Sequence, residues 1–223
     1  MKNKNLLLIT VLSILACVAH GVMLFTPFND YIFTSLAKLV IFVACSIIYF
    51  ALTKDGRFVD LFSVKGRGKA LKYSALFGLG SAIVVFIAFL IIRPWLEQEM
   101  VVNALSNVGI TSENYIFAVM YYVVVNVALE ELFFRGFIFL TLYRIGYKVY
   151  AHIFSATLFA VYHVAIMRYG VDPALLVLAT VGLTATGIFF NEITRRSDSI
   201  IGSYLVHASA SLAISIIGFN FIN

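Results

Sequence analysis

Three charged residues fall within six positions of an apolar run, Leu129-Glu130-Glu131-Leu132-Phe133-Phe134-Arg135. On an α-helix Glu131 and Arg135 are four apart with the acid first, a spacing that suits an ion pair along one face. Glu130 then points about 100° away and is left for another partner. His163 and His207 are the candidates, each in a separate apolar stretch without a carboxylate of its own. One glutamate and two histidines from three segments could line a single polar cavity. A carboxylate in a dry site can take a proton from water, and His163 could share that water. His207 could donate to a developing oxyanion, where a fixed donor has large leverage. That chemistry is the hydrolysis of a carbonyl compound. The same residue types could also hold zinc with one position open. The chain has no H-E-x-x-H sequence and no paired intramembrane aspartates. Gly202-Ser203 reads as packing or helix entry rather than a nucleophile.

These residues need helices that cross a membrane. The chain has 223 residues, 62% of them hydrophobic and 12% charged. A soluble domain has about 45–50% apolar and about 25% charged residues. The composition therefore excludes a soluble globule, a disordered chain and a disulfide-rich secreted domain. Seven apolar runs are expected to span: 6–26, 31–53, 70–94, 115–143, 149–169, 173–191 and 199–220. The short sixth run is expected to tilt or to be partly re-entrant. The predicted fold is an all-α polytopic transmembrane helix bundle of about seven spans. Twelve of the sixteen basic residues fall on one side of these spans. They include Lys2 and Lys4, the cluster from Lys54 to Lys72, and Arg195 and Arg196. Arg93 and Arg168 face Asp30, Glu97, Glu99, Glu113 and Asp172 on the other side. This asymmetry places the N-terminus in the cytoplasm. The net charge of +5 is then a topology signal, with no motif for nucleic acid beside it.

An ionisable group inside a span costs about 2.5–3.5 kcal/mol on insertion scales, so each needs a reason. Lys38 is expected to snorkel or to be paired. His20 reads as a core residue, and His152 as interfacial. Cys17 and Cys45 read as packing rather than a redox or metal pair. Ile14-Leu15-Ala16-Cys17 resembles a lipoprotein signal. Leu15 is bulky for that role and the apolar run continues to Phe25, so an ordinary first span is expected. The basic loop 54–69 suits a short interfacial helix through Phe58–Phe62, and Trp95 suits the interface.

Glu130-Glu131-x-x-x-Arg135, Phe159-x-x-x-His163 and His207-x-x-x-Ser211 follow in that order on separate spans. Together they resemble the CAAX protease and bacteriocin-processing family, also called Abi, which includes type II CAAX prenyl endopeptidases. Gly182 to His207, with Gly187, Thr194 and Gly202, has the same look. The resemblance covers roughly 115–218, so residues 115–223 are expected to be a protease core behind a motif-free part, 1–114. It implies an intramembrane protease in which Glu130 and His163 activate water and His207 stabilises the oxyanion. Arg135 is implied to be structural. The family's asparagine position is Ser211 here, which supplies a shorter donor. The favoured mechanism requires no metal. If zinc is needed, Glu130, His163 and His207 are its ligands.

The expected activity is an intramembrane endopeptidase acting on a peptide or membrane-protein substrate, located in a bacterial plasma membrane. Peptide-signal maturation, bacteriocin processing or self-immunity then ranks ahead of prenylated CAAX substrates. One alternative is a non-catalytic scaffold or immunity protein on the same fold. Another is a proton-coupled transporter, against which the absence of an internal repeat counts.

Overall fold

A computed structural model describes residues 2–23, 31–53, 58–95, 97–106, 109–167 and 173–222. Asp30, Lys54, Arg57, Arg168 and Asp172 of the charge asymmetry, and the side chain of Trp95, lie outside the described residues. Every regular element among the described residues is helical. The main helices are α1 (Lys2–Met23), α2 (Tyr31–Thr53), α3 (Gly68–Ile92) and the short α4 (Gln98–Ser106). The long α5 (Tyr115–Arg144) follows, then α6 (Lys148–Met167), α7 (Pro173–Ser197) and α8 (Ile200–Ile222). A 3₁₀ turn, Phe58–Phe62, occupies the expected place in the basic loop and buries Leu61.

Six of these helices are long and apolar enough to cross a bilayer. The chain is an integral membrane protein. Among the described residues α6 is not one of these six, and the bundle agrees with the expected count of about seven spans. Helix α6 packs against both α5 and α7. The sixth run is not short: α7 continues unbroken for 25 residues to Ser197. At its polar end Asn191, Thr194 and Ser197 are buried but satisfied, while Arg195 and Arg196 are exposed. Asn191 donates to the His152 carbonyl at 3.2 Å, and Thr194 donates to Ser203 at 2.9 Å.

The outer surface is what lipid requires. Helix α3 exposes Leu76, Leu79, Val84, Ile87 and Leu90, and α1 and α2 expose similar rows. The centre is α5, whose stretch Glu131–Leu140 is buried at every position. A helix apolar all round belongs inside a bundle. Phe42 of α2 stacks on Phe133, with ring centres 3.9 Å apart, and Phe134 meets Phe159 of α6 edge-on. Small residues allow the closest helix contacts, as is usual in membranes. A Cβ on Gly187 of α7 would lie 2.9 Å from the Ala156 Cα of α6.

Two pins set the register of α8 against α5. At one end the Tyr115 hydroxyl donates to the Ser215 carbonyl at 2.7 Å. At the basic end Arg144 donates to Asp198, in the turn before α8, at 2.6 Å. Asp198 has φ 46°, a left-handed conformation that aspartate tolerates better than most residues. Arg67 reaches the same carboxylate at 2.8 Å.

Candidate active site

Helix α5 is not a plain α-helix where its charges lie. One α-helical turn, Val127–Glu130, sits between π-helical stretches Tyr121–Asn126 and Glu131–Leu140. Such i→i+5 segments are rare and often mark functional sites. Glu130, Glu131 and Arg135 are all buried within it.

Glu130 uses its two oxygens differently. Oε1 accepts from Lys38 Nζ of α2 at 2.5 Å and from Asn126 Nδ2, one turn earlier, at 3.1 Å. Lys38 also donates to Asn126 Oδ1 at 2.7 Å. Oε2 lies 3.4 Å from His163 Nε2 and 3.8 Å from His207 Nε2. The structure thus brings together the three groups singled out in the sequence, from α5, α6 and α8. It also corrects one expectation: Glu130 is not left to the histidines alone, because Lys38 takes one side of its carboxylate. Lys38 does not snorkel; it turns inward.

The outer bond of each ring fixes its tautomer. His163 Nδ1 donates to the Phe159 carbonyl at 2.8 Å, since a carbonyl oxygen only accepts. This is the physical content of the F-x-x-x-H spacing. His207 Nδ1 donates to Glu131 Oε1 at 2.9 Å. When both rings are neutral, each presents an Nε2 lone pair toward Glu130 Oε2. Three acceptors around one point suit a molecule that donates, as water does. The four buried charges, Lys38, Arg135, Glu130 and Glu131, sum to zero, so two neutral histidines leave the array balanced.

The expected Glu131–Arg135 ion pair is present, and Glu131 has a second partner. The two approach to 3.5 Å, but the shorter bond of Glu131 is to His207. The guanidinium lies 4.0 Å from the Phe159 ring centre and 5.0 Å from that of Phe190. Its charge is held by aromatic faces as well as by Glu131. Ser211 is buried one turn beyond His207, beside the Tyr122 hydroxyl. His20 packs on Phe42 and Tyr162, while Ser203 accepts from Thr194, lies within reach of the Ile200 carbonyl and is also a hydrogen-bond neighbour of the Glu131 carboxylate. Among the described residues no group of three or more His, Cys, Asp or Glu side chains is arranged to hold a metal.

Asn126 was missed by sequence reasoning. Its signal was an amide four residues before a buried acid. Lys38 was noticed as an intramembrane charge, but its partner was not.

No curated protein and no solved structure matches the chain. A family model described as type II CAAX prenyl endopeptidase Rce1-like matches residues 112–213, slightly under half of the sequence. The matched stretch contains Glu130, Glu131, Arg135, His163, His207 and Ser211, whereas Lys38 lies outside it. The match at residues 112–213 agrees with the CAAX protease resemblance of the motifs they carry.

Proposed function

We propose that the chain is an intramembrane endopeptidase that uses water activated by Glu130 and His163. The observation that carries this is the approach of Glu130 Oε2 to both histidine Nε2 atoms, at 3.4 and 3.8 Å. A water placed there donates one hydrogen to Glu130 Oε2 and the other to His163 Nε2. Its oxygen attacks the scissile carbonyl carbon as its proton passes to Glu130. The carbonyl oxygen becomes an oxyanion, and His207 faces it. To donate from Nε2, His207 must take up a second proton from solvent; this adds one positive charge to the array that is balanced with neutral rings, and the developing oxyanion offsets it. Ser211 supports the oxyanion side. Collapse of the intermediate breaks the C–N bond, and Glu130 returns its proton to the leaving amine. The products are a carboxylic acid and an amine.

The proposed substrate is a peptide presented at or within the bilayer. The test is mass spectrometry of new peptide termini in membranes of cells expressing the protein. Glu130→Ala and His163→Ala should each remove those termini, with losses of about 10²–10⁴ in rate per folded protein, and Glu130→Ala should also lower the protein level because it strands Lys38. Termini unchanged in either variant would overturn the assignment.

A further inference from the structure

Lys38 belongs to α2, outside the segment that matches the family model. It is 4% exposed, although a lysine in a span ordinarily extends its stem toward the interface. Its ammonium instead makes the bonds to Glu130 Oε1 and Asn126 Oδ1 and faces the Tyr162 ring at 5.0 Å. Asn126 bonds both other members, so the three side chains close a ring. This ring touches only one oxygen of the carboxylate. The two oxygens share a rigid plane, so a fixed Oε1 also fixes the direction of Oε2. The ring stands on the side of Glu130 away from the two histidines.

Lys38 also completes the charge count. In the resting site, with both rings neutral, its loss leaves two carboxylates and one arginine, an uncompensated buried anion. A proton is then drawn to the Glu130–histidine group, where a neutral acid beside a neutral imidazole avoids two further buried charges, and a carboxylic acid cannot take a proton from water. On the reading of Glu130 as the base, we propose that Lys38, braced by Asn126, is a positioning residue. It keeps Glu130 a carboxylate and aims Oε2 at His163 and His207.

The test uses the full chain in phosphatidylcholine vesicles and dicyclohexylcarbodiimide, an apolar reagent that adds to protonated carboxyl groups. The acid's proton moves to a carbodiimide nitrogen while its oxygen adds to the central carbon. Adducts at Glu130 are located by peptide mass spectrometry, with Glu130→Gln as the blank. Wild type should label weakly. Lys38→Met should label at Glu130 about tenfold more strongly or better, and Lys38→Arg should stay near wild type. Asn126→Leu removes the brace without removing a charge and should give a smaller rise. It keeps the test decisive if Lys38→Met does not yield folded protein. On any peptide the wild type cleaves, Lys38→Met should lower kcat with little change in KM, and Lys38→Arg should restore part of it. Labelling of Glu130 no stronger in Lys38→Met than in wild type would overturn the proposal. So would unchanged labelling in Asn126→Leu. The labelling needs no substrate. Processing that survives Glu130→Ala would therefore defeat the protease reading while the Lys38–Glu130 result stood separately.

Discussion

Two charge clusters invite comparison. One lies inside the bundle: Lys38, Glu130, Glu131 and Arg135, all buried. The other lies at the basic end, where Arg67 and Arg144 share Asp198, a side chain 51% exposed. The end cluster has short contacts, 2.6 and 2.8 Å, while Arg135 and Glu131 are 3.5 Å apart. Distance alone would rank Asp198 above Arg135. Burial reverses that order. At the end, water can replace a lost partner, and an exposed pair contributes about 0–1 kcal/mol. In the interior nothing replaces it, and removing one partner costs about 3–5 kcal/mol. The lesson is that a short bond reports geometry, whereas the environment decides what its loss costs.

The largest effect outside the base and its lysine is expected from Arg135→Ala. It leaves Glu131 with His207 as its main partner and empties the space against Phe159 and Phe190. A loss of about 3–5 kcal/mol should appear as reduced membrane-inserted protein and a lower melting temperature in detergent. A melting temperature equal to wild type would show that neither the ion pair nor the ring contacts of Arg135 set this region's stability. A middle effect is expected from Ser211→Asn, which changes a polar but uncharged member of the interior. If position 211 serves the oxyanion, kcat should stay within about threefold of wild type or rise. A fall beyond tenfold in folded protein would remove Ser211 from that role. The smallest effect belongs to Asp198→Asn, which keeps a residue suited to positive φ and removes only the charge. Its cost should be under about 1 kcal/mol and should shrink further in high salt. A larger cost would mean that the α7–α8 turn is sheltered enough for its charges to behave like buried ones.

Much of the site was legible because intramembrane charge is scarce. Glu130, Glu131 and Arg135 stood out against their apolar neighbours, and the spacings to Phe159 and Ser211 placed His163 and His207 beside them. His163 read nearer the opposite end of its span than Glu130 did, yet the folded helices bring the two within 3.4 Å. The sequence did not show which way Lys38 turns. Helix α2 is apolar all round, so hydropathy names no inner face, and its partner lies 92 residues away. Nor were the π-helical stretches legible. They are a choice of backbone hydrogen-bond register, and the side-chain pattern of Glu131 to Arg135 fits either register closely enough. Helix α7 outlasted its expected end because Asn191, Thr194 and Ser197 find bonds within the bundle. Composition alone would count those residues as too polar for a span.

The bond from His163 to the Phe159 carbonyl stays within a single helix. His207, by contrast, owes its tautomer to a residue on another element. If the helices rock against each other as a substrate enters, α6 carries a preset imidazole with it. The lone pair changes position but never moves to the other nitrogen. His207 loses that assurance once α5 and α8 separate. Of the two rings, only the one on α6 is a portable part, ready before the bundle has closed around it.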